Sequence, residues 1–185
     1  MSNPWKSARS VADLGNLMAD WLEGRIPTRP GYCDTQPDEE TNHLIPVLAP
    51  ACRAGLVTTN SQPGHPPVRG YDGRTWRQRA FVEGWIADGA LLARIRAAAK
   101  RAGMTVVAHG PSSRGGDWIP LTDADDEIQM AAGDYPGHRR MINTEWRGIG
   151  RHATNELCHA THIDLIDPVW GRDDRLWPAL ANVIR

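Results

Sequence analysis

Hydrophobic residues recur along the chain at two spacings, and these spacings predict the secondary structure. Apolar positions three and four residues apart predict amphipathic helices, whereas alternating and β-branched segments predict strands. The predicted helices cover residues 11–23, 39–54, 89–102, 142–157 and 175–184, and the predicted strands cover residues 56–60, 79–86, 104–109, 118–121 and 161–166. Pro46 and Pro50 predict a kink or an early break in the second helix.

The order of these elements predicts an α/β (α+β) fold. A predicted helix over residues 89–102 lies between two predicted strands, which is the pattern of a βαβ unit with parallel strands. We therefore expect a mixed sheet of four to five strands with helices packed on it. A chain of 185 residues is typical of a single domain, and residues 1–185 are predicted to form one.

Composition and charge argue against nucleic-acid-binding, membrane and disulfide-stabilised classes of protein. The net charge of -1 lacks the basic excess that nucleic-acid-binding proteins usually carry, so no nucleic-acid partner is expected. Neither a membrane-span-length apolar run nor a signal-peptide core occurs, which favours a cytoplasmic protein without a membrane partner. Three widely spaced cysteines argue against a disulfide framework and a zinc ribbon. The sequence does not indicate the oligomeric state.

Four consecutive polar residues lie at the carboxyl end of the first predicted strand. Thr59, Asn60, Ser61 and Gln62 offer several hydrogen-bond donors and acceptors. Ligands of open α/β sheets bind outside the carboxyl ends of the strands, so these residues are candidates for ligand binding. The alternative is a turn that the Asn and Ser side chains stabilise.

Two titratable residues on neighbouring predicted strands are the candidate catalytic groups. Glu83 interrupts an apolar strand, where a carboxylate needs a partner or a raised pKa, and it is predicted to act as a general base or to anchor a ligand. His109 ends its strand and is predicted to act as an acid, a base or a ligand anchor. The alternatives are a salt bridge of Glu83, for instance with Arg79, and a hydrogen-bonded histidine that closes its strand.

The tryptophans and one arginine are further candidates for ligand binding. The chain holds eight Trp and only one Phe, and Trp85 and Trp170 are predicted to wall a pocket. Arg172 precedes the last predicted helix and is a candidate for binding an anion.

Secondary candidates lie in a cysteine-containing loop and in the densest titratable segment. Cys33 is a candidate thiol, although no base or cation lies near it in sequence. If residues 158–164 are extended, His162 and Asp164 share one face, so that the carboxylate can orient the imidazole; if they are helical, His159 and His162 share a face instead. The segment lacks the compact spacing of metal ligands, and neither a metal nor another cofactor is expected.

Four phrases of the sequence resemble a known protein family. They cover residues 21–24, 53–64, 78–84 and 167–177. Together they are similar to an uncharacterised family from actinobacteria and their phages, classed as a domain of unknown function. The resemblance implies a bacterial or phage cytoplasm and brings no activity with it.

These features predict an enzyme that acts on a small molecule. Standard nucleotide-binding, nucleophile-elbow and zinc-protease motifs are absent. The expected activity is therefore a metal-independent hydrolase or group transferase, with a nucleotide-, sugar- or amino-acid-like ligand at the carboxyl ends of the strands. The alternative is a non-catalytic module of phage or host origin that binds a ligand or a protein.

Overall fold

Six α-helices and eight strands make up the regular structure in a computed structural model, which describes residues 3–32 and 36–184. The helices are α1 Val11–Leu22, α2 Ile45–Arg53, α3 Gly89–Ala102, α4 His138–Glu145, α5 Arg151–Leu157 and α6 Leu176–Val183. The strands are β1 Leu56–Gln62, β2 His65–Arg69, β3 Thr75–Gln78, β4 Phe81–Ile86, β5 Thr105–His109, β6 Ile119–Ala124, β7 Glu127–Ala132 and β8 Thr161–Ile166. The predicted α+β class is confirmed.

The strands form two antiparallel sheets rather than one mixed sheet. The first sheet has the order β1-β4-β8-β5 and the second has the order β2-β3-β6-β7. As the βαβ pattern predicts, β4 and β5 run in the same direction, but β8 lies between them and pairs antiparallel with both. Because β8 comes much later in the chain, its insertion leaves no signal in the local pattern.

The ends of helices are predicted correctly where the sequence contains a capping residue. The Ser10 side chain accepts a hydrogen bond from the Asp13 amide at 3.0 Å and starts α1. Asp88 caps α3, and Gly103 ends it in the left-handed conformation at φ 70°. The predicted break in the second helix is also observed, since residues 39–44 form a 3-10 helix before α2. The predicted helix over residues 142–157 is instead the two helices α4 and α5.

Most of the second sheet is absent from the sequence prediction. Residues 65–69 hold two prolines and lie outside the predicted strands, but they form the edge strand β2, where missing amide donors are tolerated. The acidic residues 123–126 also lie outside the predicted elements, and an acidic segment of this kind is usually exposed to solvent. Asp123 is instead buried in β6, where its carboxylate accepts a hydrogen bond from Arg77 Nε at 2.7 Å.

The main hydrophobic core joins the helices to the first sheet, and a smaller cluster of Phe81, Leu121, Ala132 and Ile166 joins the two sheets. This small cluster fixes one end of the first sheet against β6 and β7. None of the helices in the described ranges is long and apolar enough to cross a membrane.

The contact between α1 and α2 depends on Gly15. A Cβ atom at this position would lie 2.2 Å from the Cys52 carbonyl oxygen, whereas a Cβ atom at Gly89 would contact nothing within 4 Å. Gly15→Ala is therefore expected to lower the free energy of unfolding by ~1–3 kcal/mol through overpacking. Gly89→Ala is the matched control and is expected to change it by less than ~1 kcal/mol, in the stabilising direction. Urea unfolding of both variants measures the difference, and equal stability would contradict the close approach of the helices.

Candidate functional site

The pairing of β8 with β4 and β5 places titratable side chains on one face of the first sheet. Asp164 lies opposite Glu83, and His162 lies opposite both Trp85 and His109. Residues directly opposite each other in antiparallel strands point to the same side. The prediction that an extended segment lets His162 and Asp164 share a face is thereby confirmed, because both lie in β8 two positions apart.

Three of these side chains come close enough to share one ligand. Ligand atoms of Glu83, His162 and Asp164 all lie within 4.8 Å of one another, and His162 Nδ1 lies 4.0 Å from Asp164 Oδ1. Glu145, at the end of α4, adds a third carboxyl group whose charge acts on Glu83. We refer to Glu83, Glu145, His162 and Asp164 as the carboxyl–imidazole cluster. Among the described residues, no lysine or arginine nitrogen lies within 4 Å of its carboxylates.

Burial without a charged partner raises the pKa of all three carboxyl groups. Burial, followed by the charges of Glu145 and Asp164, raises the pKa of Glu83 to about 8. Burial raises the pKa of Glu145 to about 7, against a hydrogen bond from Trp85. Burial also raises the pKa of Asp164, to about 6, partly offset by a hydrogen bond from the Gly133 backbone. The cluster therefore disfavours the full negative charge that three ordinary carboxylates would carry at neutral pH.

His162 is buried and lacks hydrogen-bond partners. Its side chain is 2% exposed, and neither ring nitrogen has a partner within the described ranges. Burial, followed by the neighbouring His109 and His138, lowers the pKa of His162 to about 3, so its imidazole is neutral. His109 Nε2 is likewise buried and unpartnered. Buried polar atoms normally have partners, so these nitrogens mark positions where a ligand, an ion or water is expected.

His138 shows that a buried imidazole in this region can be fully bonded. Its Nε2 lies 2.7 Å from the Ala160 carbonyl oxygen, so this nitrogen donates. Its Nδ1 then accepts from the Tyr135 hydroxyl at 2.6 Å. Both ring nitrogens of His138 therefore have hydrogen-bond partners, whereas those of His162 have none among the described residues.

Aromatic rings enclose the carboxyl–imidazole cluster. Trp85 is fully buried, donates from Nε1 to Glu145 at 3.0 Å and packs edge-on against His162 with ring centres 5.0 Å apart. Tyr135 stacks on His109 with ring centres 4.3 Å apart. These rings shield the cluster from water, which strengthens electrostatic interactions inside it.

An open pocket adjoins the carboxyl–imidazole cluster at Thr59. The Thr59 hydroxyl donates to Glu83 Oε1 at 3.3 Å, and the same residue lines a small pocket of about 50 Å³ that is partly open to solvent. Asn60 and Ser61 also line it, together with Arg29. We call this the Arg29 pocket. Three of the four polar residues predicted at the end of the first strand, Thr59, Asn60 and Ser61, therefore line it.

The Arg29 guanidinium packs against two aromatic rings that contact each other edge-on. Its central carbon lies 4.9 Å from the Trp21 ring centre and 4.6 Å from the Tyr32 ring centre. Nη2 donates to the Thr59 carbonyl at 3.0 Å, while Nε is buried and has no partner in the described structure. Glu145 and Glu83 act electrostatically on this guanidinium, so the positive charge lies near the carboxyl–imidazole cluster.

Several predicted site residues have structural partners elsewhere. The Gln62 amide donates to the Arg79 and Leu121 carbonyls and accepts from the Thr122 hydroxyl, so it ties the two sheets together. The Trp170 ring lies 4.8 Å from the Arg77 guanidinium and 4.3 Å from that of Arg79.

Arg172 is held in an ion pair. It donates two hydrogen bonds, at 2.7 and 2.8 Å, to the fully buried Asp167, which leaves its guanidinium less free for a ligand. Cys33 lies outside the described residues.

The site departs from the expected location in one respect. The predicted site lies at the carboxyl ends of parallel strands. The observed cluster lies instead on one face of an antiparallel sheet. Sequence reasoning also missed Arg29 and Glu145. Arg29 lies in a proline-rich loop and Glu145 within a segment predicted as one continuous helix, so neither shows a local signal of function.

Comparisons with known proteins support the resemblance seen in the sequence. A protein-family model described as "Domain of unknown function (DUF6919)" matches residues 1–185. No curated protein matches the chain significantly. The actinobacterial or phage origin stays a prediction.

Proposed function

We propose that the chain, which belongs to the family described as domain of unknown function (DUF6919), is a hydrolase or group transferase acting on a small anionic substrate. One observation carries this proposal. One buried and two half-buried carboxyl groups, together with an unpartnered imidazole, lie beside an open pocket that presents a guanidinium. Such an arrangement destabilises a fold, and groups perturbed in this way concentrate at functional sites.

The Arg29 pocket supports an anionic substrate. A guanidinium matches the geometry of phosphate and carboxylate groups, and the Trp21 and Tyr32 rings pack against it. Asn60 and Ser61 add neutral hydrogen-bonding groups to the same wall. When the anionic group of a substrate contacts Arg29, the rest of the substrate can extend along Thr59, so that its reacting bond lies near Glu83.

The carboxyl–imidazole cluster supports the chemistry. Hydrolysis requires a group that removes a proton from water and returns it to the leaving group, and a carboxylate with a pKa near neutrality is suited to both steps. Glu145, with a pKa raised to about 7 and a hydrogen bond from Trp85, fits this role. Group transfer follows the same course with an acceptor hydroxyl in place of water.

Three chromogenic probes test the reaction class. The full chain is assayed with p-nitrophenyl phosphate, bis(p-nitrophenyl) phosphate and p-nitrophenyl acetate, with and without added Zn²⁺ or Mn²⁺. We expect catalysed release of p-nitrophenolate from at least one phosphate ester. Rates equal to the uncatalysed background for all three probes would overturn the proposal, and thermal stabilisation by phosphate without turnover would favour the binding-module alternative.

Arg29→Met is expected to weaken substrate binding. Loss of a charge-assisted hydrogen bond costs about 1.5–3 kcal/mol, which corresponds to a rise of roughly 10- to 100-fold in KM for the phosphate ester. The exposed Arg96 on α3 provides the matched control, and Arg96→Met is expected to leave KM unchanged. Steady-state kinetics on both variants measures the difference. A KM that is equal in the two variants would remove Arg29 from the substrate site.

A further inference from the structure

We infer that Glu83, His162 and Asp164 bind one divalent transition-metal ion, such as Zn²⁺ or Mn²⁺. The inference deepens the proposed function, on which the catalytic use of the ion rests. Binding itself follows from the arrangement of the three side chains and is measured without any substrate.

The first argument is the position of the donor atoms. One ligand atom from each residue lies within 4.8 Å of the other two, and all three side chains arise from the paired strands β4 and β8. Tetrahedral ligands about 2.1 Å from a zinc ion lie about 3.4 Å apart. Binding therefore requires the donors to move together by about 1 Å or less, which side-chain rotation can supply.

The second argument is the unpartnered imidazole. Neither nitrogen of His162 has a hydrogen-bond partner in the part of the chain that the structure describes, although the side chain is 2% exposed. His162 Nδ1 points toward the carboxylates, 4.0 Å from Asp164 Oδ1. A metal ion between them gives this buried nitrogen the partner that buried polar atoms normally have.

The third argument is charge. The carboxyl groups of Glu83, Asp164 and Glu145 lie near one another with no lysine or arginine nitrogen within 4 Å among the described residues, so their ionised forms repel one another. A divalent cation removes this repulsion and offsets the cost of burying the carboxylates.

The donor set indicates which ions fit. An imidazole nitrogen suits zinc, iron, copper and nickel, whereas carboxylates also suit manganese, so a mixed set favours first-row transition metals over Ca²⁺. Three protein ligands leave an open position, as in catalytic zinc sites, where water or a substrate oxygen can bind. The ion would there lower the pKa of bound water and polarise the substrate.

The spacing of the three ligands along the sequence does not indicate a metal site. The expectation of no metal rested on the lack of compact ligand spacing, because structural zinc sites usually draw ligands from short motifs. Here His162 and Asp164 are two residues apart, but Glu83 comes from a distant strand. The ligands meet because β8 inserts beside β4.

Metal binding is tested by equilibrium dialysis of the EDTA-treated full chain against Zn²⁺ or Mn²⁺, with the metal content measured by mass spectrometry. We expect one ion per chain. Asp164→Asn, which preserves shape, is expected to weaken affinity at least 100-fold, since even indirect partners of metal ligands contribute 10- to 100-fold. The exposed Asp117→Asn is the matched control and is expected to bind as the wild type does.

Thermal unfolding supplies a second measurement on the same proteins. Added Zn²⁺ is expected to raise the Tm of the wild type and of Asp117→Asn by several degrees, and to leave Asp164→Asn nearly unchanged. If Asp164→Asn does not fold, Glu83→Gln at a partly exposed position serves as the ligand variant.

Failure of the metal site and failure of the proposed function give different results. No binding by the wild type, or equal binding by the ligand and control variants, would overturn the metal site. Turnover by EDTA-treated protein would leave the hydrolase proposal standing without the ion. Stoichiometric binding without turnover of any probe would retain the site and overturn the catalytic function.

Discussion

Glu83→Gln is expected to abolish turnover and, in EDTA-treated protein, to raise the free energy of unfolding. The loss of activity should be about 10²- to 10⁴-fold, because the amide neither binds a cation as a carboxylate does nor transfers a proton at neutral pH. The two effects have opposite signs, which distinguishes a functional carboxylate from a structural one.

The gain in stability follows from the surroundings of the carboxylate. Burial and the neighbouring Glu145 and Asp164 raise the pKa of Glu83 to about 8, so its ionised form destabilises the folded state. At pH 9, above this raised value, the wild-type carboxyl is charged in both the folded and unfolded states. An uncharged amide of the same shape removes the cost, and we expect a gain of ~1–3 kcal/mol at that pH.

The measurement is urea unfolding at pH 9 with EDTA, together with initial rates on the phosphate ester. Glu127→Gln is the control, because Glu127 is exposed and its pair with Arg74 contributes at most ~0.5 kcal/mol. We expect neither quantity to change appreciably in this control. A Glu83→Gln protein that is less stable than the wild type and equally active would show that Glu83 has a structural role.

Trp85→Ala is expected to give the largest loss of stability among changes at the site. Trp85 is fully buried, packs against His138 and His162 and donates to Glu145 at 3.0 Å. Truncation of a buried tryptophan to alanine costs about 3–5 kcal/mol. The enclosure of the carboxyl–imidazole cluster is lost with the ring, so activity should fall as well.

Trp85→Phe separates packing from hydrogen bonding. Phenylalanine keeps much of the buried ring but leaves Glu145 without its indole donor, at a cost of ~1–3 kcal/mol. Urea unfolding measures both variants. Trp118→Ala is the control, since Trp118 is 60% exposed and its removal should change stability by less than ~0.5 kcal/mol. Similar losses for Trp85→Ala and Trp118→Ala would contradict the enclosed site.

The sequence could predict those elements whose signals are local. Asp88 and Gly103 mark the ends of α3, and the alternation in residues 161–166 identifies β8 and the shared face of His162 and Asp164. Glu83 could be selected as a candidate because a carboxylate in an apolar strand is costly wherever the strand packs. These inferences require no knowledge of which elements are neighbours.

The remaining features depend on long-range pairing. The insertion of β8 between β4 and β5 brings Glu83 to Asp164, and no local pattern specifies strand order. Strand pairing also determines which polar side chains form hydrogen bonds within the protein and are therefore not available to a ligand. Gln62 looked like a ligand-binding residue beside Asn60 and Ser61, but its amide bonds across to β6. Arg172 is a candidate for anion binding by its sequence position, but its guanidinium donates to the buried Asp167 carboxylate.

Crystals of the full chain grown with Zn²⁺ test most directly whether Glu83, His162 and Asp164 form one metal site. Anomalous difference maps at the zinc absorption edge locate the ion without reference to activity. We predict one strong peak with bonds of about 2.0–2.2 Å to an imidazole nitrogen of His162 and to both carboxylates. Zinc found only at surface residues, with the His162 nitrogens bonded to water or protein, would contradict the site.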